Sequence, residues 1–136
     1  MSHYSRVKTQ FTDAESLVVA LKAVGLKEVE QHSSPTGLYG YQGDLRSDKA
    51  HIIVRRQYVG VASNDLGFIR RDDGTFAAII SDYDRQTGKD ERWMSRLKRE
   101  YGKSIVFKYA EREGYDLEEN SQGQSEEIRL VLRRGA

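Results

Sequence analysis

A chain of 136 residues, 38% hydrophobic and 32% charged, suits one domain, residues 1–136, with its own core and a crowded ionic surface. The absence of cysteine excludes disulfides, thiolate metal sites and a cysteine nucleophile, and no apolar run approaches the ~20 residues that cross a bilayer. A net charge of +1 provides no global attraction to nucleic acid or anionic lipid, and "MSHYSRVKTQF" lacks the apolar core of a secretory signal, so a cytoplasmic or stromal protein is expected.

In chain order, "SRVKTQF" (5–11) alternates like a first strand. Thr12 and Glu15 have the spacing of a capping box for a helix whose apolar stripe is Leu17, Val18, Leu21 and Val24, with Gly25 suited to the left-handed residue beyond its end. A strand near Leu26–Gln31 follows, then the glycine-rich "GLYGYQGD" (37–44), then "AHIIVRR" (50–56). The glycines lead into another strand and not a helix N-terminus, so a bulged hairpin is expected in place of a phosphate loop. Tyr39 and Tyr41 would share a face there as a small contact patch.

"DLGFIRR" and "TFAAIIS" flank Asp72-Asp73-Gly74, a hairpin signal because Asp-Gly tolerates positive φ. A helical stretch spans about Lys89–Glu113, with Met94, Leu97, Tyr101 and Ile105 on one stripe and Ile105, Val106, Tyr109 and Ala110 on a rotated one. Gly102 sits at the change of phase, where a kink or two abutting helices are expected. "YDLEEN", a "SQGQS" turn and "EEIRLVLRR" form a closing hairpin. The pattern predicts an α+β fold, a mixed or mostly antiparallel sheet with two or three helices on one face, and suggests a doubled β-α-β-β unit.

Three strands end in arginine pairs: "IIVRR", "GFIRR" and "LVLRR". Adjacent strand residues face opposite ways, so a shared phosphate clamp is the weaker reading, and arginines reaching into water at strand ends the stronger. Lys89, Arg92, Arg96, Arg99 and Lys103 are spaced 3, 4, 3 and 4 and form a cationic row opposite the apolar stripe. That row, with Tyr39 and Tyr41 as a second contact, points to a binding or adaptor protein with an acidic protein partner. A nucleic-acid-binding protein using the same row with Arg70, Arg71, Arg133 and Arg134 is the alternative; five phosphate contacts would give a salt slope of about −4 to −5. The acidic 113–127 segment, with six acids and no base, counts against it.

Asp82 and Asp84 follow a hydrophobic strand as Asp-x-Asp, the pattern of a metal-dependent nucleophile and its acid/base partner, though a turn before the next helix explains them more simply. His3, His32 and His51 are too scattered for a metal site. No catalytic residue, metal or cofactor is assigned, and the oligomeric state is open.

"MSHYSRVKTQ", "GYQGD", "DLGF" and "EGYDLEE…IRLVLRR" together resemble the cyanobacterial and plastid-encoded family called hypothetical chloroplast reading frame thirty-five. The likeness spans essentially the whole chain, and His3, Tyr4, Lys8 and Thr9 occupy the family's N-terminal pattern. Members often finish on Arg-Trp whereas this chain ends "RRGA", and its one tryptophan, Trp93, lies elsewhere. The resemblance implies a protein of photosynthetic bacteria or plastids and carries no activity, cofactor or catalytic residue with it.

Overall fold

In this computed structural model, residues 3–121 and 128–134 are described, and side chains through residue 116. The Asp72-Asp73-Gly74 turn forms as its composition predicts. Gly74 takes φ 87°, the Arg71 amide donates to the Thr75 carbonyl, and strands β4 (Leu66–Arg70) and β5 (Phe76–Ser81) pair antiparallel on either side. Strand β1 (Tyr4–Lys8) adds to the outer edge of β5, and β3 (Leu45–Val54) to the outer edge of β4. With β2 (Glu30–Tyr39) beside β3, the sheet runs β1-β5-β4-β3-β2, antiparallel throughout.

Helix α1 (Ala14–Ala23) lies on one face of this sheet and buries Leu17, Ala20 and Leu21. Its N-cap is Asp13, which accepts from the Ser16 amide, and not Thr12. The Thr12 and Asp13 amides, which precede the helical ladder, both donate to the Tyr101 hydroxyl at 3.0 Å. Gly25 has the left-handed φ of 104° expected of it.

Short helices α2 (Arg56–Val59) and α3 (Asp82–Gln86) follow β3 and β5. Helix α4 (Glu91–Glu113) is capped by Asp90 and closed by Gly114 at φ 75°. Its first half seals the core with Trp93, Met94 and Leu97 against Phe11, Phe68, Phe76 and Ile80, while the Tyr101 ring packs tilted on Phe11, 4.5 Å between centres. The α+β expectation therefore holds, with α1 and α4 on one face of the sheet.

Two expectations are corrected. Helix α4 passes through Gly102 as one element of 23 residues, so the alternative of two abutting helices does not hold. The phase change reflects a change of neighbour: α1 packs against the side bearing Met94, Leu97 and Tyr101, whereas buried Ala110 lies roughly 180° around the helix. The second partner there is the hairpin of β6 (Tyr115–Ser121) and β7 (Ile128–Arg134). That hairpin is a separate two-stranded sheet, so the halves of the chain are not equivalent β-α-β-β units. The predicted "SQGQS" turn falls mostly outside the described residues.

The opposite face carries a smaller cluster made of strand residues: Leu38, Ala50, Ile53 and Ile79, with Tyr4 and Ile69 against them. Two register shifts, between Gln31 and Thr36 and between Gly37 and Tyr39, bend the β2–β3 hairpin. The bend folds its far half across this face. Arg46 of β3 consequently stands 5.4 Å from the ring centre of Tyr4, which belongs to the opposite edge strand. The closest approach is at Gly67, where an added Cβ would lie 2.7 Å from the Ala50 Cβ and 3.1 Å from both Leu38 methyls. Gly67→Ala should therefore lower stability by about 1–3 kcal/mol through overpacking, read as a lower urea midpoint at unchanged m-value.

Candidate functional site

The arginine that ends "IIVRR" is tied into the fold. Arg55 donates through Nε and Nη2 to both oxygens of Glu30, at 2.8 and 3.0 Å. Its Nη1 donates to Asp65 Oδ2 at 2.8 Å and to the Gly37 carbonyl at 3.1 Å, and its guanidinium lies 5.7 Å from the Tyr39 ring centre. Asp65, whose side chain is 1% exposed, also accepts the backbone amides of Tyr39 and Arg56 at 2.8 and 2.7 Å. Arg56 reaches the Tyr41 carbonyl. The first pair is thus a clasp joining β2, β3 and β4, neither a phosphate clamp nor a solvated end.

The second pair is also engaged. Arg70 donates to the carbonyls of Thr12 and Gly74 and covers the Phe76 ring at 4.2 Å, and Arg71 pairs with Asp73. Arg133 and Arg134 belong to the separate β6–β7 sheet, and their side chains lie outside those described. Among the arginine pairs, the described members are thus occupied within the fold.

Asp82 and Asp84 open α3, with Ser81 as N-cap. Asp84 is buried. The Ser81 hydroxyl donates to its Oδ2 at 2.6 Å, the Asn64 amide does so at 3.1 Å, and the Asp84 amide returns a bond to Ser81 Oγ. Asp82 is half-buried, and its Oδ1 accepts from Ser5 Oγ at 3.0 Å. The two carboxylates therefore serve different bonds, and among the described residues no three His, Asp or Glu side chains form a metal cluster. His32 pairs with Glu30 at 2.8 Å, and the His51 Nδ1 accepts the Arg70 amide at 3.1 Å. Burial, then the nearby Arg70 charge, pushes the His51 pKa down, which leaves that nitrogen an acceptor.

Sequence reasoning missed Asn64, Ala62 and Tyr83. Asn64 donates to Ser81 Oγ at 2.9 Å, and its Oδ1 accepts the Tyr41 amide. These bonds hold the loop after α2 against both the turn after β2 and the junction of β5 with α3. Between them opens a cleft of about 430 Å³ lined by Tyr41, Ala62, Asn64, Asp82, Tyr83 and Gln86. Tyr41 lines this cleft, whereas Tyr39, also exposed, lies beside Arg55.

The cationic row is divided. Arg92 and Arg96 are exposed on the first turns of α4, opposite buried Met94 and Leu97. Lys89 precedes the helix; its amide donates to the Asp84 carbonyl and its ammonium lies 5.7 Å from the Trp93 ring centre. Arg99 and Lys103 are half-buried, Arg99 with a buried Nε and Lys103 5.9 Å from the Phe107 ring centre. Like Arg92 and Arg96, they share the side of Ala110. The freely presented cations are those of the first two turns.

Residues 20–131 match the model of a family described as protein of unknown function (DUF1257). The chain belongs to that family. It is also 24% identical over 134 residues to the "Uncharacterized protein ycf35" of Cyanophora paradoxa, covering 98% of each chain. The resemblance to the plastid reading-frame family is therefore upheld. No solved structure matches. Among the described residues, no helix is long and apolar enough to cross a membrane.

Two outcomes test the clasp. Arg55→Ala leaves the Asp65 carboxylate buried without its counter-ion and should cost about 3 kcal/mol in chemical unfolding. Arg55's hydrogen bonds hold the Glu30 carboxyl below its ordinary 4.5, against an opposing effect of burial and with help from His32. A depressed carboxylate stabilises the fold above its unfolded pKa, and that contribution disappears as pH falls through the lower folded value. Below pH 4.5, melting temperature should fall less steeply in Glu30→Gln than in the parent protein.

Proposed function

We propose that this protein is a non-catalytic binding module that docks an acidic surface of a protein partner on the exposed start of α4. The supporting observation is that Arg92 and Arg96 stand one turn apart in solvent, on a segment fixed from behind by Trp93, Met94 and Leu97. A rigid helix face presents two guanidiniums at low ordering cost, and guanidinium pairs carboxylate in two-point geometry. Arg85 and Lys98 flank the groove beside that segment, with Asp90 and Glu91 in the same wall. That mixed charge suits the patterned face of a protein better than a uniform phosphate backbone. Arg70 and Arg71, the cations that nucleic-acid binding would have recruited, are occupied within the fold. A cytoplasmic location, or the plastid stroma where the gene is organellar, fits the same reading.

The test is recovery of partners from native lysate treated with nuclease, comparing the parent protein with the double change Arg92→Glu and Arg96→Glu. Arg99 is left alone because its half-buried side chain would confound stability with binding. The double variant should lose a nuclease-resistant, salt-elutable protein while melting within about 1 °C of the parent, as exposed charge changes generally do. Undiminished recovery would overturn the site. Loss of all partners on nuclease treatment, with affinity falling steeply in salt, would transfer the surface to nucleic acid.

A further inference from the structure

The cleft between the loop after α2 and the start of α3 has a chemistry unlike that of the basic helix face. Its walls include Tyr41 and Tyr83, each 39% exposed despite ring size, and its lining contains Asp82 but no Lys, Arg or His. Its volume, about 430 Å³, falls in the range that accepts a small molecule or a long side chain.

What the cleft can recognise follows from which polar groups are already engaged. Asn64 forms part of the lining, yet its Nδ2 donates to Ser81 Oγ and its Oδ1 accepts from the Tyr41 amide, so its amide edge is committed inward. Asp84 lies directly behind Asn64, buried, and accepts from it. Two carboxylates thus sit on this side of the cleft, Asp82 in the lining and Asp84 behind it. Arg85, the nearest cation in sequence, borders the neighbouring groove with Asp82, Gln86, Asp90 and Glu91. Aromatic faces carry negative potential that attracts cations, and a half-buried carboxylate acts in the same direction.

The cleft is also built rigidly. Ala62 adopts a left-handed backbone, φ 59°, the sole non-glycine among the described residues with positive φ. That conformation is unfavourable for alanine and persists because the Asn64 and Asp65 bonds hold the following residues in place.

We propose that this cleft binds an organic cation, an ammonium or guanidinium head on a short apolar stem. The head sits against Asp82 and the tyrosine rings, and the stem lies beside Ala62. The source is either the side chain of a bound polypeptide or a free small amine, and the same chemistry serves both. This site is separate from the α4 face and does not depend on it.

The experiment is a backbone-amide NMR titration of the full chain with butylguanidinium, butylammonium and butylurea, the last a neutral match in shape to the guanidinium. Both cations should move the amides of Tyr41, Ala62, Tyr83 and Gln86 in a saturable way, and butylurea should not. Asp82→Asn keeps an oxygen for the Ser5 hydroxyl, so it should leave the spectrum folded while weakening cation affinity at least tenfold. Tyr83→Ala should weaken it several-fold. An arginine-bearing peptide that binds at least tenfold more tightly than butylguanidinium assigns the site to a polypeptide side chain; equal affinity assigns it to a free amine. Equal shifts with butylurea, or unchanged affinity in Asp82→Asn, would overturn the proposal. Arg92→Glu with Arg96→Glu should leave these titrations unchanged, which separates failure here from failure of the α4 docking face.

Discussion

The Asp65 carboxylate is the interaction on which the rest of the structure depends. A buried carboxylate is costly unless its lone pairs and charge are met, and Asp65 meets that requirement with groups from two other parts of the chain. The Tyr39 amide ends β2, Arg55 and the Arg56 amide follow β3, and Asp65 itself introduces β4. Its main chain adds two more links, an amide donating to the Tyr39 carbonyl and a carbonyl accepting the Tyr4 hydroxyl. Burial, then the Asp65 charge, pushes the Tyr4 pKa well above its ordinary value, so the phenol remains a neutral donor across the whole working range of pH. One side chain therefore sets how far the β2–β3 hairpin folds over the second sheet face and where the chain re-enters the sheet.

A second buried carboxylate, Asp84, does the same work one strand further on, gathering Ser81 and Asn64. Asn64 and Asp65 are adjacent, so the two networks fasten consecutive residues of one loop to different partners. A loop tied at two successive positions has little freedom before them. This explains how Ala62 is kept left-handed, and why exposed Ala62 and Tyr83 can border a defined cleft. Stability and candidate binding chemistry thus meet at Asn64 and Asp84: the buried carboxylate that fastens the loop also lies behind the cleft lining.

Much of the fold was legible because it rests on local chemistry. Gly25 and Gly74 occupy left-handed positions that their sequence context announces, and Met94, Leu97 and Tyr101 pack on the side that helical spacing predicts. The cap of α1 was misread by one residue because adjacent Thr12 and Asp13 are both capping types, and it is Asp13 whose carboxylate accepts the Ser16 amide. The arginine pairs were misread for a different reason. Arg55, Arg56, Arg70 and Arg71 look alike along the strand, but their acceptors include Glu30, 25 residues from Arg55, and the Thr12 carbonyl, 58 residues from Arg70. Nothing local distinguishes an arginine ending a strand in water from one that closes a sheet. Asn64 and Ala62 were invisible in sequence because a loop's polar residues are ordinary until the fold shows what they hold.

The cationic row of α4 shows where periodicity stops being sufficient. Spacing of three and four residues correctly places Arg92, Arg96, Arg99 and Lys103 along one side of a helix, and says nothing about what stands next to that side. In the first half the neighbours are α1 and the sheet, on the opposite side, and the row is left to solvent. Beyond Tyr101 the neighbour changes: Ile105, Phe107 and Tyr109 are partly exposed, whereas Ala110, on the side of the row, is buried towards the hairpin. A single amphipathic pattern therefore becomes two half-helices with opposite buried sides and no break in the backbone. The physical consequence is that charge on α4 cannot be counted as one surface. Cations of the first turns are held out by a core behind them, whereas Arg99 and Lys103 of the middle turns are half-buried.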